Sequence, residues 1–188
     1  MKSEIKTGIT EKMISLTDPD PNLIHIEDIA HALSHICRFT GHTKEFYSVL
    51  NHTINCYILA KDHYPDNPRI QYGALMHDCA EAYLQDLSSP LKQLFPDYKF
   101  LENKWDQIIF DKFNVQLSDE EYKAVKLIDL SMLFIEANKL FSTGTKDWSV
   151  NGSGRLEFKI QRPLFLANDF TEARFNWKYI YRNLQALI

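Results

Sequence analysis

The sequence predicts a mostly α-helical protein built as a single domain. Apolar residues recur every three or four positions along most of the chain, which is the spacing of helices that bury one face. No stretch shows the clear alternation of apolar and polar residues that is typical of a half-buried strand. A chain of 188 residues with 45% hydrophobic content is long enough for one sizeable core. We therefore expect an all-α fold of about six or seven helices in one domain that spans residues 1–188.

A polar arm precedes the first two predicted helices. Residues 1–22 predict an irregular or weakly extended segment that ends in the turn-rich run DPDPN. The apolar pattern then predicts a helix over residues 23–39, ended by Thr40 and Gly41. A second helix is expected from about Tyr47 to Tyr64, because the prolines of the following PDNP run interrupt helical structure.

The third predicted helix carries the most polar residues in an apolar setting. Pro68 suits the first turn of a helix, and this helix is expected to run through His77 and Asp78 to about Leu84. Residues 88–96 predict a loop with a short helical turn, and residues 98–113 predict an amphipathic helix.

The C-terminal third predicts two more helices around an irregular insertion. Ser118 followed by two glutamates is a good N-terminal cap, so we expect a helix from there to about Phe141. Residues 142–166 predict an irregular insertion, in which a short strand at 156–160 is one option. Asn168 or Asp169 would cap a last helix over residues 170–187.

Charge and cysteine content narrow the classes of function. The net charge is −4 and the pI is near 6.0, so no stable nucleic-acid complex is expected. The three cysteines show no C-x-x-C pairing, which predicts free thiols in a reducing compartment. The polar N-terminus has no signal-peptide pattern, and no apolar run reaches the roughly 20 residues that span a bilayer. We expect a cytoplasmic protein without membrane association.

Two histidines and two aspartates stand out as candidate metal ligands. His52 lies on the second predicted helix, the adjacent His77 and Asp78 on the third, and Asp129 on a later one, each among apolar neighbours. Burying such groups unpaired costs about 2–7 kcal/mol, so they need partners. Imidazoles and carboxylates together suit a divalent first-row ion with coordination positions left open for water and substrate.

The order of these residues resembles the defining motif of the HD-domain phosphohydrolases. His52 stands in YSVLNHT, His77 and Asp78 in LMHDCAEAYLQD, and Asp129 in KLIDLSMLFIEA, which together give the order H…HD…D. Further segments look like the bacterial 5′-deoxynucleotidases and phage deoxynucleotide phosphohydrolases, namely DPDPNLIHIEDIAHALSHICRFTGHT and the tail DLSSPLK. The resemblance covers nearly the whole chain and is weakest at 142–166.

The resemblance implies a metal centre and a pair of catalytic carboxylates. His52, His77, Asp78 and Asp129 would hold a divalent ion, and His₂Asp₂ ligation suits Mn, Co, Fe, Zn or Mg. Glu81 lies one turn beyond the His-Asp pair and would position or activate the attacking water. Asp86 would orient the substrate or assist proton transfer, although its place before a Ser-Pro turn also suits an ordinary helix-end residue.

The resemblance also implies four residues that contact a nucleotide. Lys92 and Lys126 would face the phosphates, and Arg38 matches a substrate-binding arginine, although each cation also suits a role on a solvated helix end or face. Phe39 stands where the 5′-deoxynucleotidases have a tryptophan thought to exclude the 2′-hydroxyl. Phenylalanine is smaller, so a preference for deoxyribose is not secured.

The expected activity is metal-dependent hydrolysis of phosphate ester or anhydride bonds in (deoxy)nucleotides, with a metal-bound water attacking phosphorus. Two reactions compete: removal of the 5′-phosphate of a dNMP, and triphosphohydrolysis of a dNTP. A polyphosphate substrate is slightly favoured, because the sequence offers three candidate cations: Arg38, Lys92 and Lys126. The alternative is a catalytically silent HD fold that serves as a nucleotide sensor or interaction module. Aromatic helix faces are compatible with a homo-oligomer.

Overall fold

The backbone is built mostly from α-helices, as predicted from the apolar spacing. The computed structural model describes residues 3–146, 148, 163–167 and 169–188. Two short strands precede the helices: β1 (Glu4–Lys6) and β2 (Met13–Ser15). The helices are α1 (Ile26–His35), α2 (Val49–His63), α3 (Pro68–Met76), α4 (Glu81–Leu84), α5 (Ser89–Lys92), α6 (Pro96–Lys112), α7 (Asp119–Leu140) and α8 (Phe170–Gln185).

The N-terminal arm contains a small antiparallel hairpin, which the sequence pattern did not reveal. Ile5 of β1 lies opposite Ile14 of β2, and the Ile14 side chain is fully buried. The hairpin loop is held by Asp28 of α1, whose carboxylate accepts hydrogen bonds from the Ile9 and Thr10 amides and from the Thr10 hydroxyl. Strands of three residues are too short to show an alternating pattern, whereas this tertiary anchor is enough to hold them.

The predicted third helix is interrupted at the His-Asp pair. Helix α3 ends at Met76, residues 77–80 form a turn, and α4 begins at Glu81. His77 and Asp78 therefore lie in a turn beyond the end of α3, rather than inside a continuous helix. Gln85 then adopts a φ of +73°, which ends α4.

The first helix is also shorter than predicted, and a strained turn follows it. Helix α1 ends at His35, and Arg38 opens a 3₁₀ turn in which Phe39 and Thr40 both have φ of +54°. Residues with side chains adopt this left-handed region at a cost of about 1–2 kcal/mol each. The strain lies next to Arg38, one of the predicted site residues.

Capping side chains begin the two long C-terminal helices. Ser118 and Glu121 form a reciprocal capping box at the start of α7. Asp169 caps α8 by accepting a hydrogen bond from the Thr171 amide. The alternative cap Asn168 and the optional strand at 156–160 lie outside the described residues.

Helix α2 is the central element of the core. It packs against α1, α3, α7 and α8, and ten of its fifteen residues are buried. Trp177 of α8 is fully buried and donates its indole N–H to the Thr53 hydroxyl of α2. Helices α3 and α7 approach closely at Gly73, where an added Cβ would lie 2.9 Å from Leu117 and Val125 side-chain atoms. The three elements that carry the predicted metal ligands are therefore packed on one another.

Within the described part of the chain, none of the helices combines the length and the apolar content needed to cross a membrane.

Candidate metal centre

Four predicted ligands from three elements meet at one point. His52 comes from α2, His77 and Asp78 from the turn after α3, and Asp129 from α7. The Nε2 atom of His52 lies 3.3 Å from Nε2 of His77, 3.4 Å from Oδ2 of Asp78 and 3.2 Å from Oδ1 of Asp129. The Nε2 atom of His77 lies 3.3 Å from Asp78 Oδ2 and 3.6 Å from Asp129 Oδ1.

These distances fit donors that share one ion. Two ligand atoms that each lie about 2.1 Å from an ion are about 3.0 Å apart at a right angle and about 3.4 Å apart at the tetrahedral angle. The five separations, 3.2–3.6 Å, lie in the upper part of that range or exceed it slightly. The donor set of two imidazoles and two carboxylates therefore suits a divalent cation.

Both imidazole rings are oriented by hydrogen bonds on their far nitrogens. Nδ1 of His77 lies 2.9 Å from the Ala74 carbonyl oxygen, and Nδ1 of His52 lies 2.7 Å from Oε1 of Glu136. A ring that donates from Nδ1 keeps the Nε2 lone pair available, which is how metal-binding histidines are usually held. Both Nε2 atoms consequently point to the shared centre.

Cys56 is a further candidate ligand that sequence reasoning missed. Its Sγ lies 3.4 Å from Nε2 of His52, one helical turn away on α2. The group His52, Cys56, His77 and Asp129 could hold an ion, since one donor atom from each lies within 4.8 Å of the others. Burial raises the pKa of the Cys56 thiol, and a thiol must lose its proton to bind a metal. Asp78 and Cys56 are therefore both candidates for a fourth ligand beside His52, His77 and Asp129, and the donor set leaves the metal type open.

Glu136 is a second residue that sequence reasoning missed. It is fully buried and accepts hydrogen bonds from Nε of Arg38 at 2.9 Å and from the Tyr47 hydroxyl at 2.8 Å, besides its contact with His52. Burial raises the pKa of Glu136, but His52 and Arg38 outweigh that effect and lower it overall. Its spacing from Asp129, seven residues or two helical turns, was the available signal.

Arg38 lies inside the site, against carboxylates. Its guanidinium is 2.9 Å from Glu136 and 3.7 Å from both Asp78 and Asp129, with 8% of the residue exposed. Burial lowers the pKa of Arg38, but Glu136 and the two aspartates raise it well above its ordinary value. This predicted substrate residue is thus engaged by three acidic side chains. The half-buried Phe39 beside it packs edge-on against Phe141, with ring centres 5.3 Å apart.

Glu81 is a buried carboxyl group with one unpartnered oxygen. Only 4% of it is exposed, and Oε1 lies 3.4 Å from Nζ of Lys92. Its Oε2 has no hydrogen-bond partner among the described residues. Burial, Asp78 and Asp86 raise the pKa of Glu81 well above its ordinary value, so this carboxyl group holds a proton more readily than a free glutamate does.

Lys92 is paired with two carboxylates rather than left open. Its ammonium lies 2.5 Å from Oε1 of Glu102 and 5.8 Å from the centre of the Tyr98 ring, in addition to its contact with Glu81. Burial lowers the pKa of Lys92, but Glu81 and Glu102 raise it overall. Glu102, on α6, was not predicted to lie at the site.

Asp86 and Lys126 lie at the periphery of the cluster. Asp86 is half-buried, and burial raises its pKa although Arg38 opposes that effect. Lys126 is exposed, with its ammonium 5.5 Å from the centre of the Tyr122 ring. Asp106 of α6, another residue that was not predicted, is close enough to Lys126 for the lysine to lower its pKa. Burial and Glu102 nevertheless raise the Asp106 pKa to about 7.

The charges of the cluster shift the titration of the ligands themselves. Burial lowers the pKa of both imidazoles, yet the surrounding acidic groups raise the pKa of His52 and of His77 well above the ordinary value. Burial raises the pKa of Asp78 and Asp129, but the imidazoles outweigh it and lower both. An ion at the centre therefore competes with protons for the two Nε2 atoms.

Two bacterial relatives align with most of the chain. The uncharacterized protein YfdR of Escherichia coli is 42% identical over 127 residues, which cover 68% of this chain and 67% of that protein. An uncharacterized protein of Rhodobacter capsulatus is 28% identical over 146 residues, 74% of each chain. No family model matches the chain, so the resemblance to the HD-domain phosphohydrolases stays a prediction.

Proposed function

We propose that this chain, which belongs to the family of the Escherichia coli protein YfdR, is a metal-dependent phosphohydrolase acting on nucleoside 5′-monophosphates. The observation that carries the proposal is that the Nε2 atoms of His52 and His77 lie 3.2–3.6 Å from each other and from oxygens of Asp78 and Asp129. The buried Glu81 is close enough for Asp78 to raise its pKa. The residues at 52, 77–78 and 129 also give the order H…HD…D of the resembling enzymes.

The donor set supports binding of a divalent cation. Such an ion, when bound, acts as a Lewis acid that polarises a phosphoryl oxygen and makes water more acidic. Arg38 offsets part of the negative charge of Asp78 and Asp129 and keeps the two carboxylates oriented. The protein residues thus hold the ligand atoms in place before any substrate arrives, which favours catalysis by preorganisation.

Glu81 is the group best placed to transfer a proton. Its buried Oε2 has no hydrogen-bond partner among the described residues, which leaves that oxygen available to a substrate or to a water that enters the site, while Nζ of Lys92 lies 3.4 Å from Oε1. A carboxyl group whose pKa is raised well above its ordinary value suits general acid–base catalysis, because it can hold and donate a proton that a free glutamate would already have lost. Asp86, the other predicted catalytic residue, raises the pKa of Glu81 through its charge.

The pairing of the cations favours one phosphate over three. Arg38 and Lys92 are each engaged by carboxylates, so of the three predicted phosphate-binding cations only Lys126 carries an exposed ammonium without a carboxylate at salt-bridge distance within the described residues. A triphosphate brings three or four negative charges that such a site would leave poorly neutralised. A nucleoside monophosphate is therefore the better match for the site, whereas the number of cations in the sequence slightly favoured a polyphosphate.

Product analysis on a panel of nucleotides tests the proposal. The protein would be incubated with dNMPs, NMPs and dNTPs in the presence of Mn²⁺, Co²⁺ or Mg²⁺, and inorganic phosphate and triphosphate would be measured separately. We expect inorganic phosphate from monophosphates. Triphosphate from dNTPs would favour the triphosphohydrolase. No turnover, combined with a nucleotide-induced rise in melting temperature, would favour the nucleotide sensor.

A further inference from the structure

Glu136 forms the centre of a buried hydrogen-bond network that joins two parts of the site. One oxygen, Oε1, lies 2.7 Å from Nδ1 of His52 and accepts a hydrogen bond from the Tyr47 hydroxyl at 2.8 Å. The other, Oε2, accepts from Nε of Arg38 at 2.9 Å. Tyr47 in turn accepts a hydrogen bond from the Asn55 side-chain amide at 2.8 Å. The carboxylate, the imidazole, the guanidinium and the phenol are all buried.

The contact with His52 has a direct consequence for the metal centre. A carboxylate can only accept, so the nitrogen that faces it must carry a proton. Nδ1 of His52 is therefore the protonated nitrogen, and Nε2 is the one that offers its lone pair to an ion. Nε2 is also the atom that lies within 3.2–3.4 Å of the other three ligands.

The contact between Glu136 and Arg38 also affects the two carboxylate ligands, Asp78 and Asp129. The guanidinium is held at Nε by Glu136, which leaves NH1 directed at Asp78 and NH2 directed at Asp129, each at 3.7 Å. The planar guanidinium has a fixed arrangement of donors, so fixing one edge orients the other. A single carboxylate thus sets the direction of one imidazole ligand and of the cation that faces both carboxylate ligands.

We infer that Glu136 is the positioning residue of the metal centre, an inference that rests on the proposed binding of a divalent ion. It holds the Nδ1–H form of His52 and orients Arg38 towards Asp78 and Asp129. Carboxylates in this place typically contribute 10–100-fold to metal affinity. A merely structural ion pair would affect the stability of the fold and leave the affinity for the ion unchanged.

Zinc binding by substituted proteins separates the two roles. Glu136→Gln keeps the shape of the side chain and removes its charge, and we expect it to weaken Zn²⁺ binding about 10–100-fold in a competition titration with a chromophoric chelator. Tyr47→Phe removes one hydrogen bond to Glu136 without touching His52 and should weaken binding less. Asp28→Asn is the matched control, because Asp28 is a buried carboxylate that accepts three hydrogen bonds away from the site. It should lower the melting temperature and leave Zn²⁺ affinity unchanged.

Histidine NMR supplies a readout that does not depend on metal affinity. Long-range ¹H–¹⁵N spectra of the wild type should show a slowly exchanging Nδ1 proton on His52 with and without Zn²⁺, the signal being assigned from its loss in His52→Asn. In Glu136→Gln that proton should exchange faster. An unprotonated Nδ1 in the wild type, or wild-type Zn²⁺ affinity in Glu136→Gln, would overturn the role of Glu136 alone. Failure of the wild type to bind Zn²⁺, Mn²⁺ or Co²⁺ would overturn the metal centre as well.

Discussion

Acidic side chains outnumber basic ones around the two central imidazoles. Within the described part of the chain, the cations at this cluster are Arg38, Lys92 and Lys126, and the carboxyl groups that interact with them or with the imidazoles are Asp78, Glu81, Asp86, Glu102, Asp106, Asp129 and Glu136. This excess of negative charge attracts a divalent cation. It also explains why several carboxyl groups are easier to protonate than usual, since like charges and burial both disfavour ionisation.

The identity of the fourth ligand can be decided by two substitutions. We expect Asp78→Asn to weaken metal binding by at least tenfold, because it removes a charged oxygen that lies 3.3–3.4 Å from both Nε2 atoms. Cys56→Ala should retain nearly wild-type affinity, because burial keeps the thiol protonated. Isothermal titration with Zn²⁺ measures both. The opposite ranking, together with a sulfur-to-metal charge-transfer band in the Co²⁺ protein, would identify Cys56 as the ligand.

Substitution of Glu81 should lower the rate of hydrolysis and leave metal binding unchanged. The expected result for Glu81→Gln is a fall in kcat of about 10²–10⁴-fold, the usual contribution of a general acid–base group. Metal content should remain at the wild-type level, because Glu81 is not among the four clustered donors. Steady-state kinetics with elemental analysis of the same preparation tests this. Glu102→Gln, which alters the Lys92 contact one step away, should reduce the rate less; full activity in Glu81→Gln would exclude the role.

The raised pKa of Asp106 predicts that the folded state loses stability as the pH rises. Its pKa of about 7 in the folded protein is above the ordinary 3.8, so the unfolded chain loses the proton first and the folded state is penalised as pH rises. The cost is absent below about pH 4, grows between pH 4 and 7 and stays constant above. Asp106→Asn should therefore raise the melting temperature at pH 8 and have little effect at pH 4. An equal gain at both pH values would argue against a raised pKa.

At the level of elements, the ligands His77 and Asp78 lie in the break between α3 and α4. Even in a continuous helix, His77, Asp78 and Glu81 would lie within an arc of about 100° around the helix axis, because Glu81 is one turn further along. The i-to-i+3 backbone hydrogen bonds of the turn, such as that from the Cys79 amide to the Met76 carbonyl, tighten this spacing. The turn at 77–80 directs His77 and Asp78 to the ion-binding point and starts α4 with Glu81 at its first position. The fully buried Cys79 and Ala80 within this turn anchor it in the core.

The contact between α3 and α7 sets the distance from His77 to Asp129. Gly73→Ala places a Cβ 2.9 Å from Leu117 and Val125, so one helix must shift or a side chain must repack. Overpacking of this kind costs about 1–3 kcal/mol. We expect lower thermal stability and weaker metal binding. Adding Leu117→Ala should restore part of both by making room; a double variant no better than Gly73→Ala would show that Leu117 is not the obstacle.

At the level of the whole molecule, the metal centre joins three segments that are far apart in the sequence. Its ligands lie on α2, on the α3–α4 turn and on α7, and these elements also pack directly on one another. An ion bound by all three stabilises the folded state and not the unfolded chain. At a free concentration of 100 times Kd the gain is about 2.7 kcal/mol.

Removal of the ion should consequently lower the melting temperature. Treatment with a chelator is expected to shift the wild-type transition down by several degrees in scanning calorimetry, and re-addition of Zn²⁺ or Mn²⁺ should restore it. Asp78→Asn provides the control, since a protein with a weakened site should respond much less. If the wild-type protein is first saturated with metal and its melting temperature does not change after chelation, an ion shared by the three elements is contradicted.

Exposed apolar side chains near the start of α6 bear on the predicted homo-oligomer. Three large apolar side chains in this region are between 52% and 75% exposed, namely Leu94, Phe95 and Phe100. Clustered exposed apolar residues often mark an interaction surface. Leu94 and Phe95, together with Tyr98, line a groove of about 500 Å³. Homo-oligomerisation stays a prediction, which sedimentation analysis can address directly.

The helical class, most helix boundaries and the candidate ligands could be predicted from the linear sequence. Helical spacing, the proline at 68 and the Ser118 cap act through neighbours within about one turn, so they are visible in a linear pattern. The order of His52, His77, Asp78 and Asp129 was readable because each residue type is unusual in an apolar setting. The interruption after Met76 was not readable, because the apolar helical pattern continues through residues 77–84 and no Gly or Pro marks the break.

The pairing of charged side chains depends on long-range packing. Glu136 contacts Arg38 across 98 residues and His52 across 84, and no local pattern encodes such distances. The same holds for Glu102, which engages Lys92, and for Cys56, whose thiol joins the donor cluster. Long-range packing thus places Arg38 and Lys92 against carboxylates, and their contact with a substrate phosphate stays a prediction. The physical reason is that burial makes an unpaired charge costly, so the fold pairs each charge with whichever opposite charge its topology brings near.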